Sequence, residues 1–225
     1  LSVANTVADF KNRALDTSFA AAYFPDLSMT IPSGPSAGNI STIPPTVAVL
    51  GAFSSNDAIS HPWYAPAGFN RAALSDMLEA YPLLQSNLDT LYDARVNPIA
   101  IITATQPLTV WGQKTLQVAA TALDRVNVRR LLIEIRRKVR AIANQLLFEP
   151  NRESTLTKFS GLVNPILADI QSKQGLDRYK VIIDTTTTTQ IDIENNTIRG
   201  KIFLQPTRTA EYVALDFEVT NTISD

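Results

Sequence analysis

The sequence predicts an α/β fold over its first half and an α+β fold over its second half. Across the first hundred residues, helical and strand-like patterns alternate, as they do in proteins that layer helices on a sheet. From about Trp111 the pattern changes to two long amphipathic helices followed by strands of alternating apolar and polar residues. That order predicts two main helices packed on one face of a small, largely antiparallel sheet.

Composition restricts the classes of function. The chain has 225 residues, of which 45% are hydrophobic and 18% are charged, as is usual for a globular protein. Its net charge of -1 gives no overall field favouring nucleic acid, and no apolar run approaches the ~20 residues needed for membrane insertion. The absence of cysteine excludes disulfides and thiolate metal sites. Because the chain begins without Met, inside a helical pattern, we expect further sequence upstream.

The first elements follow from periodicity and from residues that break regular structure. Apolar residues three or four positions apart predict a helix at Val3–Ala14, and Ala20–Phe24 is predicted to be a short strand that Pro25 ends. The segment 32–45 is rich in Pro, Gly and Ser and predicts a loop, whose last two prolines suit a helix start. The apolar segment Thr46–Phe53 is compatible with a helix and with a buried strand.

The rest of the first half contains one strong strand signal. Prolines and glycine among aromatic residues predict irregular structure at His61–Asn70, and Arg71–Leu91 has the pattern of a helix interrupted near Pro82. The mostly apolar run Val96–Ile102 has the length of a strand and suits a parallel strand covered on both faces. These elements complete the predicted α/β half.

Two helices open the second half. The first, Asp124–Phe148, ends at Glu149-Pro150, because proline disfavours helix in the residue before it. The second, Ser154–Ser172, contains Pro165, which is expected to kink or divide it, and Gly175 is a plausible stop. One continuous apolar stripe follows the first helix, formed by Val128, Leu132, Ile135, Val139, Ile142 and Leu146.

Alternating residues predict the strands that follow. Tyr179–Ile183 and Ile191–Glu194 alternate apolar with polar side chains, and Asn195-Asn196 predicts a turn into a strand over Ile198–Leu204. The threonine run Thr185–Thr189 is predicted to be a loop or a strand end. A last strand over 213–219 closes the predicted sheet.

The residues needed for catalysis are not apparent. His61 is the only histidine, so neither a nucleophile–base–orienter set nor a His-x-x-x-His zinc spacing can be assembled. Carboxylates occur singly, and the glycines of GPSAGN lack the strand, lysine and helix start of a phosphate-binding loop. We therefore predict no enzyme activity, no catalytic residue, no metal site and no cofactor, and interpret His61 as a solvated or loop-packing residue.

One flank of the long helix is basic. Arg129, Arg136 and Arg140 lie on it at spacings of seven and four. The flank is either an ordinary solvated face or an electrostatic contact for an acidic partner, since guanidinium groups bind carboxylates at two points. Nucleic acid is disfavoured as a partner, because exposed aromatic residues are not interleaved with the arginines. On the first interpretation, the surface ion pairs are Arg130–Glu134 and Glu134–Lys138.

The C-terminal strand is the second candidate for an interaction. Its alternation is regular, and a strand near a chain end can pair with any open sheet edge within reach. It is either an ordinary internal strand or an inter-subunit strand. The residues concerned are Tyr212, Val213, Leu215, Phe217 and Val219.

Short phrases in a fixed order carry a family resemblance. They are AAYFPDLSM, IPPTVAVLGAF, APAGFN, RVNPIAII, VWGQKTL, VNVRRLL and FEPN. The most specific are PAGFN (Pro66–Asn70), VNPI (Val96–Ile99), WGQKTL (Trp111–Leu116), VNVRRL (Val126–Leu131) and the final FEPN. Together they resemble the sheath proteins of contractile, myovirus-type bacteriophage tails. The resemblance covers most of this chain and corresponds to the C-terminal portion of a sheath protein.

The resemblance implies a fold for each half. Residues 1–105 would be the end of the larger sheath domain, which has a subtilisin-like topology. Residues 106–225 would be the C-terminal sheath domain, which faces the tail tube and exchanges strands between subunits. The family's upstream strand extension and outer domains have no counterpart in this chain.

The resemblance also implies a function. Sheath subunits assemble with copies of themselves into stacked six-fold rings, a helical sheath around the tail tube protein. The sheath contracts without nucleotide hydrolysis, drives the tube through the host envelope and so permits genome ejection. Baseplate and tail terminator proteins would be further partners. The protein would lie in the virion tail, and in the host cytoplasm during assembly. The alternatives are a related injection system or bacteriocin, and a hydrolase of subtilisin-like topology.

Overall fold

Six helices and eight strands follow one another in the residues that the computed structural model describes, which are 2–79, 81–184 and 186–211. The helices are α1 (Val3–Arg13), α2 (Pro45–Ile59), α3 (Gln85–Asp93), α4 (Val126–Gln145), α5 (Glu153–Ser172) and α6 (Gln190–Glu194). The strands are β1 (Ala22–Phe24), β2 (Leu27–Thr30), β3 (Ile40–Ile43), β4 (Met77–Glu79), β5 (Val96–Ala100), β6 (Thr109–Val110), β7 (Leu176–Ile182) and β8 (Lys201–Pro206).

The buried strand β5 organises the first half. It pairs in parallel with β1, placing Ala22 opposite Val96, and antiparallel with β6, placing Ile99 opposite Val110. All five residues of β5 are buried, which confirms the prediction of a covered parallel strand. Helices α1 and α3 pack on one side of this sheet, and α2 packs on the other.

A second sheet, in the order β3–β2–β4, corrects two predictions. Ile40–Ile43 was predicted to be loop and pairs with β2. The segment after Arg71 was predicted to be helical, yet the helix begins only at Gln85. The reason lies in a contact between distant residues. The backbone amide of Leu74 donates to the carbonyl of Leu108 over 2.7 Å, so it is hydrogen-bonded to the segment beside β6 and not within a helix.

Two ambiguities in the helices are resolved. Pro45 starts α2, so Thr46–Phe53 is helical, as one of the two alternatives held. Helix α5 runs unbroken through Pro165, so the predicted division is wrong. Proline costs a helix interior about 3 kcal/mol. Val163 and Leu167, on either side, are fully buried in one core, and each contributes about 1.5–3 kcal/mol of burial.

The C-terminal half places α4 and α5 against the antiparallel pair β7–β8. The segment between these strands was predicted to contain a strand at Ile191–Glu194, and this prediction is wrong. The segment forms helix α6, because Thr189 and Asp192 form a capping box at its start. Ile191, the first apolar residue of that pattern, is 69% exposed. The predicted last strand, over 213–219, lies outside the described residues. In the described ranges, no helix has the length and apolar character needed to cross a bilayer.

Candidate interaction surface

Helix α4 carries the basic flank, and its opposite face fixes its orientation. Leu131, Ile135 and Ile142 are buried against α5 and β7. Because helix faces recur every three or four residues, burying this stripe turns the arginine flank away from the core. The flank nevertheless does not have one environment along its length.

The N-terminal arginines of α4 contact the first half of the chain. The guanidinium of Arg129 lies 4.0 Å over the ring of Phe19 and donates to the hydroxyl of Ser18. Arg130 forms an ion pair of 2.5 Å with Asp57. The predicted pair between Arg130 and Glu134 is therefore wrong, and these two arginines join α4 to the loop after α1 and to α2.

Glu134 pairs instead along its own helix. Its carboxylate accepts from Arg137 at 2.8 Å and lies 3.5 Å from Lys138, which confirms the second predicted surface pair. The Arg137 hydrogen bond lowers the pKa of the Glu134 carboxyl. Arg137 is thus exposed but has a partner, which distinguishes it from its neighbour Arg136.

Arg136 and Arg140 are the exposed members of the predicted set. Neither forms an ion pair within the described part of the chain. Both border a groove of about 440 Å³ between α4 and β8. The apolar residues that line the groove are Leu132, Ile135, Val139, Ala143, Ile202 and Leu204.

Strand β8 forms the other wall of this groove. Its one pairing partner among the described residues is β7, so its second edge is open there. An open strand edge presents unpaired amide and carbonyl groups to another chain. Charged guanidinium groups, an apolar floor and an open edge therefore lie together on one side of the C-terminal half.

Trp63 joins the two halves of the chain, and sequence reasoning missed it. Its ring is buried in the core formed by α4, α5 and β7, and its indole N–H donates to the carbonyl of Lys173 over 3.0 Å. His61 stacks on Trp63 with 4.6 Å between ring centroids. The aromatic cluster HPWYAP was the available signal, but it does not say which element the rings meet.

A carboxylate site near the end of the described chain was also missed. Arg125, immediately before α4, binds Glu211 at 2.7 Å across 86 positions of sequence. No local pattern predicts a pair so distant. Throughout the described ranges, no three His, Asp or Glu residues are grouped as a metal site would require.

Comparison with known proteins finds tail sheath proteins that are similar to most of this chain. Residues 119–220 match the family described as the phage tail sheath C-terminal domain. The tail sheath protein of Vibrio phage KVP40 is 32% identical over 79% of this chain and 26% of its own length. The tail sheath protein of Enterobacteria phage T4 is 29% identical over 81% of this chain and 28% of its own. The chain therefore spans about a quarter of the length of these relatives.

Solved structures of contractile sheaths have a similar fold. The sheath complex of the extracellular contractile injection system PVC, in its contracted state, is similar over 97% of this chain and 60% of its own. That match has a TM-score of 0.83 and 27% identity. The contracted helical sheath of the anti-feeding prophage shares the fold, with a TM-score of 0.76 and 22% identity over 90% of this chain and 56% of its own.

Proposed function

Because residues 119–220 match the phage tail sheath C-terminal domain family, we propose that this chain is the C-terminal portion of a contractile tail sheath subunit. The observation that carries the proposal is the similarity of 97% of the chain, at a TM-score of 0.83, to a contractile sheath. The subunits assemble into stacked hexameric rings around a tail tube, and the virion tail is the protein's location.

Each half has its place in this proposal. Residues 1–105 close the larger sheath domain of subtilisin-like topology, and the parallel pair β1–β5 between helix layers supports this assignment. Residues 106–225 form the domain that faces the tube. The burial of Trp63 in the C-terminal core indicates that the two parts are held firmly together.

Linkage between subunits uses the open edge of β8. The segment containing Tyr212, Val213, Leu215, Phe217 and Val219 lies outside the described residues, and its alternation suits a strand that crosses to a neighbour. In the acceptor subunit, the strand would lie along the groove between β8 and α4. Backbone hydrogen bonds would supply the strength, and alternate apolar side chains would set the register.

Tube contact uses the basic flank of α4. Arg136 and Arg140 are exposed and supply guanidinium groups for carboxylates on an acidic tube surface. Arg129, the third predicted residue, is already bound to Ser18 and Phe19. It would therefore contribute only positive charge, at the N-terminal end of the flank.

Contraction would require no enzyme activity in the subunit. The same subunits would have two packings, and the contracted one would lie lower in free energy, so domains rotate as bodies without nucleotide hydrolysis. Baseplate and tail terminator proteins would bound the sheath at its ends. Subunits would reach it from the host cytoplasm during assembly.

A second candidate is the sheath of a contractile injection system or bacteriocin. The similarity to the PVC sheath favours it, while the curated relatives are phage proteins. Electron microscopy of particles that contain the protein separates the two, because a phage has a DNA-filled head.

Assembly of the full-length protein tests the proposal itself. We expect negative-stain images to show hollow helical tubes, alone or on added tail tube. A protein that stayed strictly monomeric in both conditions would contradict it.

A further inference from the structure

The chain crosses the junction between its two halves near the end of the described residues, in a segment that we call the strap, Thr207–Glu211. Every second side chain of the strap is bound to the body of the protein. Thr207 donates to Asp177 over 2.8 Å, and the hydroxyl of Thr209 accepts from Asn127 over 3.0 Å. This spacing of two is that of an extended backbone.

Glu211 is held by more groups than either threonine. One carboxylate oxygen accepts from Nε of Arg125 at 2.7 Å, and the other accepts from its terminal nitrogen at 2.8 Å. The hydroxyl of Tyr92 donates over 2.7 Å, and the amide of Gln113 donates over 3.3 Å. Two-point guanidinium binding fixes both distance and plane, which a single charge contact does not.

The surroundings strengthen this contact. The side chain of Glu211 is 19% exposed and that of Arg125 is 26% exposed, so water screens the pair only partly. Burial acts to raise the pKa of the Glu211 carboxyl, but the hydrogen bonds from Arg125 and Tyr92 outweigh it and leave the pKa below its ordinary value. The carboxyl group is therefore ionised at neutral pH.

The three donors come from different parts of the fold. Tyr92 belongs to α3 of the first half, Gln113 to the connection after β6, and Arg125 immediately precedes α4. A force applied to the chain beyond Glu211 would therefore be divided between both halves and would not peel the strap from one element.

We propose that Tyr92, Gln113 and Arg125 form a carboxylate-binding site that anchors the terminal segment through Glu211 and transmits load from residues 212–225 into both halves of the subunit. The anchoring role stands on the described contacts alone. The load-bearing role rests on the proposed function, in which that segment links one subunit to the next.

Limited proteolysis of the full-length protein tests the anchor. Arg208 is exposed within the strap, so trypsin can cut there when the strap opens, and mass spectrometry can follow release of the fragment that begins at Thr209. We expect Glu211→Gln to speed release roughly tenfold, the change that about 1.4 kcal/mol of opening free energy produces. Arg125→Lys, which removes the two-point contact, should have an intermediate effect.

The matched control is Glu149→Gln, the same change at an exposed glutamate whose nearest cation, Lys158, is 3.9 Å away. It should leave the release rate unchanged. If Glu211→Gln and Arg125→Lys also released the fragment at the wild-type rate, there would be no anchor. Proteolysis of single subunits needs no assembly, so this result is independent of the sheath proposal.

The load-bearing role has its own measurement. Sheaths assembled from Glu211→Gln protein should break at several-fold lower shear than wild-type sheaths, while Glu149→Gln sheaths should match the wild type. Equal resistance in all three would overturn the load-bearing role. Failure of the wild type to assemble at all would overturn the proposed function and leave the proteolysis result standing.

Discussion

The indole N–H of Trp63 donates to the carbonyl of Lys173 over 3.0 Å, although 110 positions separate the two residues. Trp63 is only 6% exposed, and its neighbours in the core come from α4, α5 and β7. The first half of the chain thus supplies a central side chain to the core of the second. This contact makes the two halves interdependent for stability.

Removing that contact should destabilise both halves together. Trp63→Phe loses the hydrogen bond and should lower the free energy of unfolding by about 1 kcal/mol, whereas Trp63→Ala should lower it by about 3–5 kcal/mol. Urea unfolding followed by circular dichroism measures both. The control, Trp111→Phe, alters a ring that is 38% exposed and should cost less. Two separate unfolding transitions in the wild type would contradict the interdependence.

A side chain at Gly175 should disrupt the same junction. A Cβ atom there would lie 2.7 Å from Cγ2 of Ile170 and 3.0 Å from Cδ1 of Trp63. Gly175→Ala should therefore lower the free energy of unfolding by about 1–3 kcal/mol, as overpacked cores do.

The comparison variant is Gly161→Ala. It lies inside α5 with open space around the added methyl, so it should raise the free energy of unfolding by up to about 1 kcal/mol through helix propensity. If both glycine variants shifted stability in the same direction, close packing would not be the reason that Gly175 is required.

The exposed arginines give a prediction about the tube. The double variant Arg136→Ala, Arg140→Ala should bind the tail tube several-fold more weakly at low salt, because two exposed guanidinium groups are lost. Co-sedimentation of the full-length protein with the tail tube measures this binding. The wild-type interaction should weaken as salt screens it. Arg137→Ala, in which the lost charge is already paired with Glu134, should bind almost as the wild type does. Equal losses in both variants would contradict a specific role for Arg136 and Arg140.

Asp192 gives a prediction about pH. Its hydrogen bonds with Arg199 and Thr189 lower the pKa of its carboxyl to about 2. A depressed pKa in the folded state stabilises the protein above the ordinary Asp pKa of about 3.9, and this contribution is lost as pH falls toward 2. The difference in Tm between wild type and Asp192→Asn should stay constant from pH 7 to about pH 4.5 and shrink below it. A difference independent of pH would show that the carboxylate charge is not involved.

Deleting Tyr212–Asp225 tests the linkage between subunits. In the full-length protein, the truncated form should stay folded, because the described residues already form three buried cores among themselves. It should fail to join rings, since it lacks the segment that we propose to pair as a strand with a neighbouring subunit. Size-exclusion chromatography and electron microscopy measure both outcomes. Normal sheaths from the truncated protein would disprove the strand linkage.

The long periodic elements were predictable because their signals are local. The apolar stripe of α4 and the covered strand β5 were both identified from spacing alone. The ordered phrases likewise predicted the sheath resemblance that the comparisons confirm. Helix α6 was missed because an alternation of isoleucines outweighed the capping signal of Thr189 and Asp192 in our interpretation.

The rest was decided by contacts between distant residues. By sequence, Arg129 and Arg136 are equivalent members of one flank, yet one is bound to Ser18 and Phe19 and the other is exposed. The sequence by itself determined the long periodic elements, α4 and β5, and which family the chain resembles. Only the tertiary structure decided which arginines remain available and which carboxylate holds the strap. Periodicity specifies the face of an element, whereas the partner of that face depends on how the whole chain packs.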